Sequence, residues 1–216
     1  MTTDVQATID FANLLCSRLC HDLLSPVGAL NNGLELLADE TDPRMREQCL
    51  DLLGESARTS ANKLKFFRLA FGAAGGYGDA VPVNELRDAV EGMFAANSRL
   101  TINWLVGEQT LDKRAAKILL NLALIAGDAL IRGGTLDVGG ETRDGLVEIA
   151  VRAEGGRVLL DPELRATLEG NTAEGPSARS AAAWMVRNLA VGAGGSLMLS
   201  PADTPGLVMA ASLPAQ

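Results

Sequence analysis

The chain has 216 residues, 47% hydrophobic and only 4% aromatic, with a formal net charge of −8. That length suits one large domain or two small ones with an ample core, while the acidic balance excludes non-specific nucleic-acid binding and disfavours anionic membranes. No apolar run reaches the roughly 18 residues of a membrane-spanning helix, "MTTDVQATID" lacks the basic segment of a secretory leader, and Cys16, Cys20 and Cys49 are too few for a disulfide scaffold. The simplest expectation is a reduced, cytoplasmic protein.

From about Ile9 to Asp39 the apolar residues Leu15, Leu19, Leu23, Leu30, Leu34 and Leu37 recur at helical spacing. "DETDP" breaks the pattern, and Pro43 suits the first position of a second helix from about Arg44 to Ala73. Each helix would be on the order of 45 Å long, at about 1.5 Å per residue. "GAAGGYGD" then reads as a linker. This divides the chain into residues 1–77, an antiparallel helical hairpin, and residues 78–216. Leu and Ala occupy more than one stripe of each helix, so each needs a second neighbour. Pairing two hairpins into a homodimeric four-helix bundle meets that need; cover by the C-terminal half is the alternative.

The second half changes character. "VPVNELRDAVEGMFAA" reads as a helix, "LTINWLV" as a strand and "LDKRAAKILLNLALIAGDALI" as a long buried helix. "GTLDVGG" and "GLVEIAVRA" form a strand pair, "DPELRATL" and "ARSAAAWMVRNLAVGAG" are helical, and "GSLMLSP" and "GLVMAASL" close the chain as strands. The expected fold class is α+β: a helical hairpin followed by an α/β sandwich with a mixed sheet.

His21 is the sole histidine. It shares a helical face with Leu14, Ser17, Arg18, Ser25, Gly28 and Asn32, which is mostly polar or small, so it is expected to face solvent. A free imidazole titrates at about pH 6.5, which leaves an unprotonated nitrogen available as a nucleophile at neutral pH. Asp22 is placed to hold the other ring nitrogen. Ser25 and Arg18, one turn either side, suit the oxygens of a phosphoryl group. Pro26 removes the N–H that the Asp22 carbonyl would accept, so the helix is expected to bend there. Small Gly28 would admit a second protein. From the second helix, antiparallel pairing brings the neighbourhood of Asn62 and Lys65 opposite His21, making Lys65 a further candidate.

"HDLLSP" (His21 to Pro26) resembles the phosphoacceptor box of sensor histidine kinases, and the hairpin followed by an α/β domain resembles their architecture. A kinase of that kind would keep three nucleotide-binding boxes. In "KILLNLALIAGDAL" Asn121 matches the first asparagine of one box, but the magnesium-binding position falls on Ile125, which has no oxygen to offer. Ala153 stands where an aspartate should hold the adenine. Ser177, Ala178, Arg179 and Ser180 replace the glycines that should lie over the phosphates.

With those boxes lost, the chain is similar to the ChpT-type histidine phosphotransferases of alphaproteobacteria, most closely in "LCSRLCHDLLSPVGALNNGLELL" and "FFRLAFGAAG". The resemblance implies a homodimeric phosphorelay intermediate with His21 as the catalytic residue, supported by Asp22, Arg18, Ser25 and Lys65. It implies a donor, the receiver domain of a hybrid histidine kinase, and acceptors, CtrA-like and CpdR-like response regulators of the cell cycle. No cofactor is expected in this chain, magnesium coming with the receiver. Arg152, Arg157 and Arg165 would meet the receiver's acidic surface. The competing readings are an autophosphorylating kinase with divergent boxes and a non-catalytic dimeric adaptor. A metal site from Cys16, Cys20 and His21 is disfavoured, because His21 lies about 100° further round the helix. No G-x-S-x-G elbow supports a hydrolase.

Overall fold

The structure is a computed structural model and describes residues 2–72, 80–172 and 175–215. The expected linker and the boundary at residue 77 fall almost wholly within 73–79, outside the described residues. Helix α1 (Thr2–Asp39) runs without interruption through Pro26. It begins several residues before Ile9 because its first turns carry few apolar residues to mark them. Asp42 ends the turn and caps α2 (Pro43–Ala70), its carboxylate accepting from the Arg44 N–H at 2.9 Å with Pro43 at the first helical position. Arg46 closes the same turn by donating to the carbonyls of Leu37 and Glu40. Gly33 allows the two helices to meet closely, since a Cβ there would lie 2.9 Å from Leu53 Cδ2.

The remainder is built from β1 (Ala80–Pro82), α3 (Val83–Phe94), β2 (Leu100–Val106), β3 (Thr110–Asp112), α4 (Lys113–Ala129), β4 (Gly134–Arg143), β5 (Leu146–Glu154), α5 (Pro162–Glu169), α6 (Ala181–Gly192), β6 (Ser196–Leu199) and β7 (Leu207–Pro214). The five-stranded sheet has the order β2-β4-β5-β7-β6. Only β2 and β4 run parallel; the other neighbours are antiparallel. The β4–β5 hairpin turns on Asp144 and Gly145, both at positive φ, the geometry whose twist matches two antiparallel strands. Along β5, Val147, Ile149, Val151 and Ala153 are buried while the alternate residues face outward. Two elements depart from expectation. Val81 and Pro82 belong to the strand Ala80–Pro82, not to the start of a helix, and that strand pairs with Thr110–Asp112; three residues are too few to show a period of two.

How the hairpin joins this layer matters for function. Phe66, Phe67, Leu69 and Ala70, at the end of α2, lie in the same buried cluster as Leu86 and Val90 of α3 and Ile118, Leu119 and Leu122 of α4. Asn121 of α4 is fully buried, and its amide donates to the Ala70 carbonyl at 3.3 Å. On the other helix Phe11 meets Trp184 of α6, ring centroids 4.4 Å apart. The α/β half therefore covers part of the hairpin, as the alternative reading held. A second apolar stripe stays uncovered within the chain: Leu24, Val27 and Leu34 on α1, Leu50 and Leu64 on α2. Cys16 and Cys20 also lie exposed. Among the described residues no helix is long and apolar enough to cross a membrane.

Candidate functional site

Helix α1 presents His21 to solvent, with 83% of its side-chain surface exposed. Its Nδ1 lies 3.1 Å from Asp22 Oδ1. A carboxylate accepts and does not donate, so this contact assigns the proton to Nδ1 and leaves the Nε2 lone pair free. The other oxygen of Asp22 accepts from Arg18 Nε at 2.9 Å, and Arg18 Nη2 donates to Asp128 Oδ2, also at 2.9 Å. Asp128 stands in the last turn of α4, so the chain of contacts runs from His21 into the second half of the molecule.

Pro26 shapes the site in a way the sequence only half shows. Its missing N–H leaves the Asp22 carbonyl without an intrahelical donor. Lys63 Nζ of α2 supplies one at 3.0 Å. The lysine of the second helix at the site is therefore Lys63, two residues before the expected one. Lys65 turns instead towards Glu85 and Asp88 of α3, at 3.8 and 3.9 Å. The reason is helical: two residues are about 200° of rotation.

The charges reinforce one another. Burial pulls the Arg18 guanidinium down, but Asp128 and Asp22 outweigh it and hold its pKa above the usual arginine value. Asp128 keeps 47% of its side-chain surface in water, yet the protein around its carboxylate excludes enough solvent to raise its pKa. Arg18 opposes that rise, Asp22 adds to it and Lys63 lowers it.

The residues just before α6 complete the surroundings. Ser17, Arg18, His21 and Asp22 share a recess of about 320 Å³ with Ala178 and Arg179. Ser177 and the buried Ser180 donate to Glu163 Oε1 at 2.5 and 2.7 Å, and Arg179 reaches Asp161 at 3.1 Å. Ser177, Arg179 and Ser180 thus anchor this segment against the start of α5. The Ser177 and Ser180 hydrogen bonds lower the Glu163 pKa below its ordinary value near 4.5. A depressed carboxylate contributes stability that is complete above the unfolded pKa and fades as pH falls through the folded one. Glu163→Gln is expected to flatten the acid limb of the stability–pH curve below about pH 5, measured by chemical denaturation across pH.

The other expected residues fall as follows. Ser25 is exposed one turn on, in a groove with Pro26, Lys63 and Asp128 and outside the recess of His21. Arg18 is committed to two carboxylates, not free. Arg152 lies on the open face of the sheet, paired with Asp137 and Glu154. Arg165 is held by Glu169 and the Ser200 carbonyl, and Arg157 is exposed. Arg179, which the sequence marked only as a glycine position, lines the recess of His21. Asp128 and Lys63 carried no signal beyond an acid at the wrong end of a helix and a lysine close to the expected one.

Asn121, Ile125 and Ala153, compared above with the kinase boxes, lie in the interior of the α/β half. Ile125 and Ala153 are buried in the hydrophobic core. Asn121 spends its amide on the carbonyls of Ala70 and Lys117, and its Oδ1 has no partner. An isolated amide oxygen amid aliphatic side chains is not a magnesium site. Among the described residues no group of three or more His, Cys, Asp or Glu side chains converges on a metal position.

Comparison with known proteins identifies the family. Residues 83–205 match the family model described as the histidine phosphotransferase C-terminal domain. Protein phosphotransferase ChpT of Brucella abortus (strain 2308) is 35% identical over 170 residues, spanning 79% of each chain. A solved bacterial phosphotransferase superposes with a TM-score of 0.81 at 32% identity, covering 94% of this chain and 96% of its own. The chain belongs to the ChpT-like histidine phosphotransferases, a family of two-component phosphotransfer proteins.

Proposed function

We propose that this chain is a phosphorelay intermediate that takes a phosphoryl group from the receiver aspartate of a hybrid histidine kinase onto His21 and passes it to response-regulator aspartates. The observation that carries this reading is the solvent-facing imidazole with Nδ1 held by Asp22 and Nε2 open. In the forward step Nε2 attacks phosphorus. The N–P bond forms as the bond from phosphorus to the aspartyl oxygen breaks, and the carboxylate leaves with that electron pair. The Nδ1 proton stays on the ring, where ionised Asp22 offsets the new positive charge. In the second step a receiver carboxylate attacks the same phosphorus and the imidazole nitrogen leaves with its pair. Positioning and charge supply most of the catalysis in such transfers. The receiver brings its own magnesium, and by family likeness the acceptors are CtrA-like and CpdR-like regulators.

The reading includes no ATP-dependent step, because Ile125 and Ala153 fill the places of nucleotide-binding residues with aliphatic side chains. It also includes a homodimer, supported by the uncovered stripe of Leu24, Val27, Leu34, Leu50 and Leu64. Replacing Leu24 and Leu64 together by glutamate is expected to convert a dimer into a monomer, measured by sedimentation equilibrium. A wild-type monomer would remove the bundle from the reading.

The test of the function is label transfer. Purified protein is given radiolabelled ATP alone, or a receiver domain already carrying labelled aspartyl phosphate. Acid-labile label that appears only with the phosphorylated receiver supports the relay. Label from ATP alone makes the chain a kinase, and no label in either case leaves a docking adaptor.

A further inference from the structure

The acid at the end of α4 is in an electrostatically poor place. Helix C-termini carry partial negative charge, which disfavours a carboxylate there, and the last turn of α4 has no basic residue of its own. The compensating cation comes from the other half of the molecule: Arg18 of α1, 110 residues away in sequence, at 2.9 Å. Arg18 is a fork with two working prongs. Nε holds Asp22 Oδ2 and Nη2 holds Asp128 Oδ2, so Asp22 Oδ1 remains for His21.

We infer that Asp128 is a positioning residue for phosphotransfer: by occupying one prong of Arg18 it keeps Asp22 Oδ1 on His21 Nδ1, and so keeps the nucleophilic lone pair on Nε2. The inference rests on the phosphotransfer reading above for its kinetic consequence, but not for its structural one. With Asp128 neutralised, the guanidinium is free to grip Asp22 through both prongs, the geometry arginine prefers with a carboxylate. Both oxygens of Asp22 then belong to Arg18, and His21 Nδ1 loses its acceptor. An imidazole without that partner carries its proton on either nitrogen, and the fraction with Nε2 protonated is not nucleophilic there. The ionisable groups around this contact are Arg18 and Asp22 on α1, Lys63 on α2, Asp128 on α4 and Arg179 before α6. The arrangement gives the α/β half a part in the chemistry: it sets the tautomer of a histidine carried by the hairpin.

Because His21 is the sole histidine, its ring nitrogens are readable without assignment in the full-length, tag-free protein labelled with ¹⁵N-histidine. At a pH where the ring is neutral, the wild type is expected to show a protonated-type Nδ1 and a bare-type Nε2. In Asp128→Asn both signals should move towards the tautomer average. The rate of transfer from a phosphorylated receiver should fall about tenfold with the receiver's KM unchanged, the size typical of a partner that orients a reacting group. Asp128→Glu, which keeps the carboxylate, should restore both readouts most of the way. Wild-type ¹⁵N signals in Asp128→Asn would overturn the inference whatever happens to the rate, leaving an ion pair that merely ties α1 to α4. Shifted signals with an undiminished rate would overturn it too, by showing that the tautomer does not limit transfer. If the wild type accepts no phosphate at all, the phosphotransfer reading fails, and the ¹⁵N spectra still judge the contact.

Discussion

Replacing His21 by alanine is expected to abolish acceptance of phosphate from a phosphorylated receiver, by at least roughly a thousandfold, as removal of a nucleophile does elsewhere. The chain offers no second histidine to substitute for it. Asp22 is not an alternative acceptor, since its oxygens are occupied by His21 and Arg18. His21→Gln gives the sharper comparison. Its amide nitrogen can reach towards Asp22 and so preserve the Arg18–Asp22 contact, but an amide nitrogen is not a nucleophile at neutral pH. Both variants should fold as the wild type does, because a side chain 83% exposed contributes little packing. Transfer measured on either variant, with acid-labile label retained, would place the phosphoryl group elsewhere and sink the assignment of His21.

Phe67→Ala is expected to cost about 3–5 kcal/mol, the range for deleting a buried aromatic side chain. For a chain of this size that corresponds to a Tm lowered on the order of 10 °C. Phe67 is almost fully buried, packs edge-on against Phe66 at 5.7 Å and stacks on Phe71 at 5.1 Å. The cluster it belongs to includes the inner faces of α3 and α4, so the cavity would open where the hairpin enters the α/β core. The wild type is therefore expected to unfold in one transition, and the variant in a broader or divided one, by calorimetry. Two independent transitions in the wild type, with the variant altering neither, would show that the hairpin and the α/β half do not share a core. A hairpin loosened at this point should also lose the Arg18–Asp128 contact, so phosphotransfer would decline with stability.

Much of this molecule is legible locally. The leucine spacing of α1 and α2, the cap at Asp42, the alternation of β5 and the apolar run of α4 each reflect a property of a few consecutive residues, which is why most elements lie within a few residues of their expected bounds. The solvent-facing His21 follows from the polar residues sharing its face, and the open carbonyl of Asp22 follows from Pro26 four residues on. The short β1–β3 pair was not legible, because three residues set no period and the pairing partner is 30 residues away. The exposure of Cys16 and Cys20 was not legible either, since an apolar stripe in a sequence does not say whether this chain or another covers it.

What the sequence determined by itself was a helical hairpin, a lone histidine facing water beside an acid, and an α/β layer with a mixed sheet. What only the tertiary structure decided was which distant side chains complete that histidine's surroundings. Lys63 replaces Lys65 because helix rotation, not proximity in sequence, selects the side chain that points across the hairpin. Asp128 and Arg179 reach the site because Phe66, Phe67 and Trp184 fix how the α/β half packs on the hairpin. Distances of about 3 Å between charges on separate elements depend on that packing angle, and no local pattern of residues encodes it.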